Sequence, residues 1–291
     1  AFIIFLICGM DFTGAVNHAL STVSAGGFST YNESAAYFDD VYVEGWMTFF
    51  MVLAGGNFGL YYRAYHKGAA VLLKDTEFKA YLSILVVAAI IIIGDLMVEL
   101  DSDFFTALRY AAFQTASIAT TGFVSADYDR WPVLSKFVLM GLMICGGCAG
   151  STAAGLKISR VVILCRSVRS TVLHLLYPKH VVEVMMNGTT LHDSTVLRVG
   201  QYFFMYIFFI LFFALLLAFD GVGGFDALGI SVSTMGCIGP AFGVTGATCT
   251  YADLSWFSKT VICFSMLLGR LEIFTILVML RPGLWKGKNT W

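Results

Sequence analysis

The sequence predicts an all-α integral membrane protein built from repeated units, and three observations carry this prediction. Hydrophobic residues make up 58% of the 291-residue chain and charged residues only 13%, whereas a soluble domain carries about 25% charged residues. Long apolar stretches alternate with shorter stretches that end in glycine-rich turns. Basic and acidic connections also alternate along the chain. A net charge of -1 gives no basic field that would favour nucleic acid.

A membrane-spanning helix needs roughly 20 mostly apolar residues. The candidate spans are residues 45–62, 81–100, 132–145, 200–219 and 256–280, with 158–176 as a basic continuation of the third. The first ten residues carry no initiator Met, basic n-region or cleavage-site pattern. We therefore expect them to be the tail of a span that begins before this sequence.

Three shorter stretches lie between these spans, at residues 17–28, 106–123 and 227–242. They are too short and too polar to cross a bilayer, which predicts re-entrant segments. Lys and Arg concentrate around residues 63–79, 157–179 and 281–288, whereas the intervening connections are acidic. Since cytoplasmic loops carry the Lys/Arg excess, this alternation places every glycine-rich turn on the outer side.

The three re-entrant stretches resemble one another when residues 21–28, 116–123 and 233–240 are aligned. Each has hydroxyl-bearing or small residues, then a glycine, then a bulky or rigid residue, and the glycines align at Gly27, Gly122 and Gly239. A ring of backbone carbonyls can replace the hydration shell of a cation, and glycine supplies the backbone angles such a ring needs. The C-terminus of a short helix aimed at the membrane centre also favours a cation. A set of unrelated tight turns is the alternative.

These stretches resemble filter loops of the Trk/Ktr/HKT potassium transporters, closest to the pore-forming subunit of the bacterial Trk branch. The matching residues are 18–30 (HALSTVSAGGFST), 113–123 (FQTASIATTGF) and 233–240 (STMGCIGP). The resemblance makes them the second, third and fourth of four filter loops around a pseudo-fourfold pore. It implies potassium-binding residues at Ser24, Ala25, Gly26 and Gly27; at Thr120, Thr121 and Gly122; and at Cys237, Ile238 and Gly239.

The resemblance divides the chain into residues 1–66 (repeat A, the second of the family, with a truncated first span), 67–189 (repeat B, the third) and 190–291 (repeat C, the fourth). It implies a first filter loop outside this sequence, a homodimer, a cytosolic nucleotide-binding regulatory subunit of the Rossmann type, and a multi-pass location in the bacterial inner membrane. Potassium is the transported ion, held through backbone carbonyls, and no covalently bound cofactor is expected.

Residues 146–155 (GGCAGSTAAG) form a run of small residues unlike any other part of the chain, called here the inner loop. Non-helical backbone at membrane depth survives only where protein or water covers it, so we expect a broken helix lining an aqueous cavity. A small-xxx-small helix-packing face is the alternative. The resemblance makes this run a gating loop, with Gly146, Gly147, Gly150, Ser151, Thr152 and Gly155 as its residues.

Arg270 is expected near the centre of the last span, where a charge costs roughly 2.5 to 3.5 kcal/mol. It must therefore face water, a partner or the pore. The resemblance places it beneath the filter as a barrier to cations. A pairing with Glu272 is the alternative, although residues two apart do not share a helix face.

Two other functions are alternatives to potassium transport. The first is a sodium-permeable or sodium-coupled transporter of the same superfamily, because the resemblance implies that the first filter loop, which lies outside this sequence, bears on the choice between the two ions. A membrane enzyme is disfavoured, because the sequence has no His-Glu-x-x-His, Gly-x-Gly-Asp or Gly-x-Ser-x-Gly motif. Cys145 and Cys148 have no accompanying histidine or second Cys pair and are interpreted as small core residues.

Overall fold

A computed structural model describes residues 1–178 and 183–281, and it is almost entirely helical. The basic residues Lys179, Lys286 and Lys288 lie outside the described residues. The helices are α1 (Phe2–Ile7), α2 (Phe12–Val23), α3 (Val41–Ala54), α4 (Phe58–Lys67), α5 (Ala70–Lys74), α6 (Thr76–Glu99), α7 (Phe104–Thr120), α8 (Val133–Cys145), α9 (Ile158–Leu176), α10 (Asp193–Phe219), α11 (Gly224–Met235), α12 (Trp256–Arg270) and α13 (Ile273–Met279). A hairpin of β1 (Met185–Met186) and β2 (Thr189–Thr190) joins α9 to α10.

The all-α membrane fold is confirmed. Within the described residues, α6 and α10 are long and apolar enough to cross a bilayer, and α12 with α13 qualifies as one bent span. Helices α3 and α8 are shorter but apolar. The predicted re-entrant stretches correspond to α2, α7 and α11, which we call the pore helices. Each one is followed by a glycine-containing turn and then by an outgoing helix.

The two long spans bury one stripe and expose the rest of their apolar surface. Along α6 the buried residues recur every three or four positions: Tyr81, Leu85, Ala88, Ile92 and Leu96. Along α10 the same spacing gives Tyr202, Tyr206, Ile210, Phe213 and Leu217. This spacing follows one face of a helix. The opposite faces are also apolar and exposed, which fits contact with lipid rather than with water.

The pore helices are the most buried elements. In α7 every residue from Phe113 to Thr120 is buried. Aspartates begin two of them, because an Asp side chain can accept a hydrogen bond from an N–H that the first turn leaves free. Asp11 accepts from Gly14 in α2 (3.2 Å), and Asp103 accepts from Phe105 in α7 (3.1 Å). Helix α2 thus begins five residues earlier than the stretch 17–28 predicted.

Two of the expected spans are wrong as continuous helices. The stretch 45–62 is interrupted after Ala54, because residues 55–57 read Gly-Gly-Asn and the Asn57 side chain caps a new helix by accepting from the Leu60 N–H (3.0 Å). The stretch 256–280 is interrupted after Arg270, where α12 and α13 meet at 106°. Arg270 is therefore at a helix end beside this elbow, not at the centre of a straight span.

An ion pair on the predicted outer side joins repeats A and B. The Arg109 guanidinium in α7 contacts Glu44 in α3 (2.7 Å) and Asp39 before it (2.9 Å). Glu44 is almost completely buried, with 3% of its side chain exposed, so its charge depends on this partner. The basic Arg109 is an exception to the charge alternation, and this pairing accounts for it.

Candidate functional site

Each pore helix ends at a turn whose aligned glycine has a positive φ. We call residues 24–28 turn A, 120–123 turn B and 237–240 turn C. The φ angles are 67° at Gly27, 99° at Gly122 and 109° at Gly239. Turns A and C also carry a positive φ two residues earlier, at Ala25 and Cys237, whereas the corresponding residue of turn B, Thr120, still belongs to its helix.

In each pore helix a serine hydroxyl is hydrogen-bonded to the turn that follows, a contact that was not predicted from the sequence. Each hydroxyl bonds the backbone of the bulky residue after the glycine: Phe28 N–H donates to Ser21 Oγ (2.6 Å), Ser117 Oγ donates to the Phe123 carbonyl (2.5 Å), and Ser233 Oγ donates to the Pro240 carbonyl (2.8 Å). The recurring serine, six or seven residues before the bulky residue, was the available signal. Ser24 and Thr120, which lie nearer the glycines, bond carbonyls of their own helices.

The three turns lie against one another in the order A, B, C. A Cβ added at Gly27 would overlap the carbonyl oxygen of Thr121, and one added at Gly122 would overlap that of Ile238. Both glycines are needed for a positive φ and for close approach of another backbone. A Cβ added at Gly239 meets nothing within 4 Å. Among the predicted filter residues, Gly27 therefore lies against Thr121, and Gly122 lies against Ile238.

The segments that follow the turns are also bonded to one another. Ala36 N–H donates to the Val124 carbonyl (3.0 Å), which ties the loop after turn A to the residue that follows turn B. The Tyr128 hydroxyl donates to the Ala241 carbonyl (2.9 Å), which ties the loop after turn B to the residue that follows turn C. Tyr251 donates to the carbonyl of Gly239 itself. Neighbouring repeats are thus linked at equivalent places.

Two exposed carboxylates lie at helix ends on the predicted outer side, Asp11 at the start of α2 and Asp220 at the end of α10. Bonds from the Gly14 N–H and the Tyr31 hydroxyl keep the pKa of Asp11 below its ordinary value. Bonds from Ser255 and Ser258 do the same for the pKa of Asp220. Both carboxylates are fully exposed and stay charged well into acidic solution, which makes this side of the molecule attractive to cations.

The inner loop is a break between two helices, as predicted. Helix α8 ends at Cys145 and α9 begins at Ile158. Positive φ angles occur at Gly146, Gly150 and Gly155. Because residues 146–157 are not helical, the alternative of a helix-packing face is wrong.

The inner loop lies under turn A and beside the break in repeat A. Cys148 N–H donates to the Gly55 carbonyl (2.8 Å), and Phe58 N–H donates to the Gly150 carbonyl (3.2 Å). The Thr152 hydroxyl donates to the carbonyl of Val23, the last residue of pore helix α2 (3.1 Å). The loop thus reaches from the break between α3 and α4 to the end of a pore helix.

Arg270 contacts the same loop from the opposite side. Its guanidinium donates to the Thr152 carbonyl (2.9 Å). The proposed partner Glu272 instead pairs with Arg160 of α9 (2.9 Å), whose guanidinium stacks on Tyr202 (3.8 Å to the ring centroid). The broken outgoing segments of repeats A, B and C therefore meet at one level of the molecule, with Thr152 between them.

Residues 9–288 match the model of the TrkH family, described as cation transport proteins. The chain is 34% identical over 288 residues to a Trk system potassium uptake protein TrkH of Halomonas elongata, covering 97% of this chain and 58% of that protein. It is 30% identical over 283 residues to the Salmonella typhimurium protein of the same name, covering 96% and 58%.

Among solved structures, it is similar to the crystal structure of the potassium transporter TrkH from Vibrio parahaemolyticus. The TM-score is 0.91 at 30% identity, covering 98% of this chain and 61% of that one. The chain thus spans less than two thirds of the length of these relatives.

Proposed function

The chain belongs to the TrkH family of cation transport proteins, and we propose that it conducts potassium through turns A, B and C, with the inner loop as the barrier below. It is a multi-pass integral membrane protein of a transporter family. The alternative of a membrane enzyme is therefore discarded. The observation that carries the proposal is the close approach of turn A to turn B and of turn B to turn C.

The proposed ion pathway begins at the turns. Carbonyls next to Gly27, Gly122 and Gly239 replace the hydration shell of potassium. The Gly239 carbonyl itself accepts a hydrogen bond from Tyr251 and is not counted among these ligands. Three pore helices aim their C-termini at this place, and each contributes roughly half a negative charge. The filter residues are Ser24, Ala25, Gly26 and Gly27; Thr120, Thr121 and Gly122; and Cys237, Ile238 and Gly239.

Repeats A (1–66), B (67–189) and C (190–291) would occupy three quarters of a pseudo-fourfold pore. The relatives are longer than this chain, and we propose that a fourth loop lies beside Gly239, where a Cβ meets nothing within 4 Å. The whole protein would form a homodimer in the bacterial inner membrane and bind a cytosolic nucleotide-binding regulatory subunit. The basic connections would face that subunit.

The inner loop would control the flux. Its residues Gly146, Gly147, Gly150, Ser151, Thr152 and Gly155 have small side chains and form no helix, and segments of low local stability are those that move in gating. Thr152 bonds the end of α2 and accepts a bond from Arg270. In this arrangement the loop obstructs the path, and the Arg270 charge raises the barrier to cations beside it.

The test is radiolabelled ion flux through liposomes that carry the full-length protein, with and without the regulatory subunit. We expect potassium and rubidium to pass in preference to sodium and lithium. Deleting residues 149–153 while leaving Lys157 in place should raise potassium flux, reduce dependence on the subunit and leave ion preference unchanged. Equal sodium and potassium flux in the parent would favour the sodium-permeable alternative, and a folded dimeric deletion variant with parental flux would show that the loop is no gate.

A further inference from the structure

A buried carboxylate holds the inner loop from the cytoplasmic end of α6. Glu77 lies in the first turn of that helix and is 6% exposed. Its Oε1 accepts from the Ala149 N–H (2.5 Å), inside the inner loop, and from the Ser159 N–H (3.1 Å), in the first turn of α9. One oxygen atom therefore joins the middle of the loop to the helix that follows it.

These two bonds have a carboxylate oxygen as acceptor, unlike most hydrogen bonds of the loop. Its bonds to Gly55 and Phe58 join neutral backbone groups, and hydrogen bonds to an ionised group are roughly twice as strong. Charged side chains bond the loop at two places: Glu77 on one side and Arg270 on the other. Losing the carboxylate would leave two N–H groups without an acceptor in a buried place.

The hairpin between α9 and α10 bonds the two residues that precede Glu77. Asn187 and Gly188 form its two-residue turn, both with positive φ, as an Asn-Gly hairpin turn requires. The Asn187 side chain accepts from the Thr76 N–H (2.8 Å) and donates to Asp75 (2.8 Å). Asp75 also caps α6 by accepting from the Phe78 N–H (2.9 Å). The exposed hairpin is thus hydrogen-bonded to Asp75 and Thr76, immediately before Glu77.

We propose that Glu77 is a positioning residue that holds the inner loop in its obstructing conformation, and that Asn187 sets Glu77 in place from the cytoplasmic side. This inference rests on the proposed function of the inner loop. It adds a way in which a change at the cytoplasmic surface would alter the conformation of that loop. A displacement of the hairpin would move the start of α6, and with it the oxygen that both N–H groups share. The loop would then be freed without any change in turns A, B and C.

The test measures amide hydrogen exchange of residues 146–159 together with potassium flux, in the full-length protein in liposomes. Glu77→Ala should raise loop exchange about tenfold and flux about fivefold, because both bonds are lost. Glu77→Gln keeps Oε1 as an acceptor but removes its charge, so both readouts should lie between those of the parent and of Glu77→Ala. Glu77→Asp retracts the carboxylate by one methylene and, if Glu77→Ala does not fold, should still raise both readouts about threefold.

Two further variants separate the proposal from a general loss of stability. Asn187→Ala should raise exchange at residues 76–79 and in the loop about threefold. Asp95→Ala is the matched control, since Asp95 lies on the same helix but bonds Ser135 at the start of α8 (2.9 Å). It should leave loop exchange at the parental value.

Each result bears on a distinct claim. Parental loop exchange in both Glu77→Ala and Glu77→Asp overturns the role of Glu77, and parental exchange in Asn187→Ala overturns the role of the hairpin. If the 149–153 deletion raises flux while Glu77→Ala does not, the inference fails and the proposed gate stands. If Glu77→Ala raises exchange but neither variant raises flux, the proposed gate fails and the inference falls with it.

Discussion

Replacing Gly122 by Ser perturbs the contact between turns B and C most directly. A Cβ there would overlap the Ile238 carbonyl oxygen, 2.9 Å from its carbonyl carbon and 3.1 Å from Pro240 Cδ. Carbon atoms in van der Waals contact lie about 3.5 to 4.0 Å apart, so turn C must retreat by about 1 Å. Because Ile238 is one of the proposed filter residues, this movement displaces a carbonyl from the ion.

The substitution also carries a backbone cost of about 1 to 3 kcal/mol, since the φ of Gly122 is 99°. Gly221→Ser is the matched control: its φ is 91° and an added Cβ meets nothing within 4 Å. Flux of potassium, rubidium, sodium and lithium is measured in liposomes for both variants. We expect the potassium-to-sodium ratio to fall about tenfold in Gly122→Ser, equal to about 1.4 kcal/mol, and to be parental in Gly221→Ser. A folded Gly122→Ser protein with the parental ratio would refute the filter assignment.

Three further predictions concern the supports of the site. Ser117→Ala leaves the buried Phe123 carbonyl without its donor; it should lower the free energy of unfolding by about 1 to 3 kcal/mol and reduce selectivity, and an unchanged ion ratio would assign the serine to stability alone. Arg109→Met leaves the Glu44 carboxylate buried and unpaired; it should cost roughly 3 to 5 kcal/mol, and Glu44→Gln added to it should recover part of that loss in a double-mutant cycle, whereas strictly additive losses would contradict the pairing. Arg270→Gln removes the charge beside the inner loop and should raise potassium flux severalfold at constant ion preference; parental flux would show that Arg270 sets no barrier.

Glycine content and apolar length predicted the turns and the inner loop well. Those features are local, since a glycine that permits a positive φ, or a run of ten small residues, is visible in the sequence itself. The break after Ala54 was missed because the apolar pattern continues across it, although Gly55, Gly56 and the capping Asn57 marked the place. The serines behind the turns were likewise present as a repeat but were overlooked in favour of residues nearer the glycines.

Other features had no local signal. The elbow between α12 and α13 contains neither Gly nor Pro, and Glu272 adopts a φ of 60° there while paired with Arg160, 112 residues away. Glu77 reads in the sequence as an ordinary acidic residue in the first turn of a helix. Its bonds to Ala149 and Ser159 arise only when α6 packs against α9. Such contacts depend on tertiary structure, which periodicity and composition do not encode.

The central claim is that the three glycine turns form one cation site, and anomalous diffraction from crystals of the full-length protein soaked in rubidium tests it most directly. Rubidium replaces potassium and marks its position without a functional assay. The account predicts an anomalous peak within coordination distance of carbonyls from turns A, B and C together. Peaks confined to one turn, or none between Gly27, Gly122 and Gly239 while rubidium binds elsewhere in the protein, would contradict it.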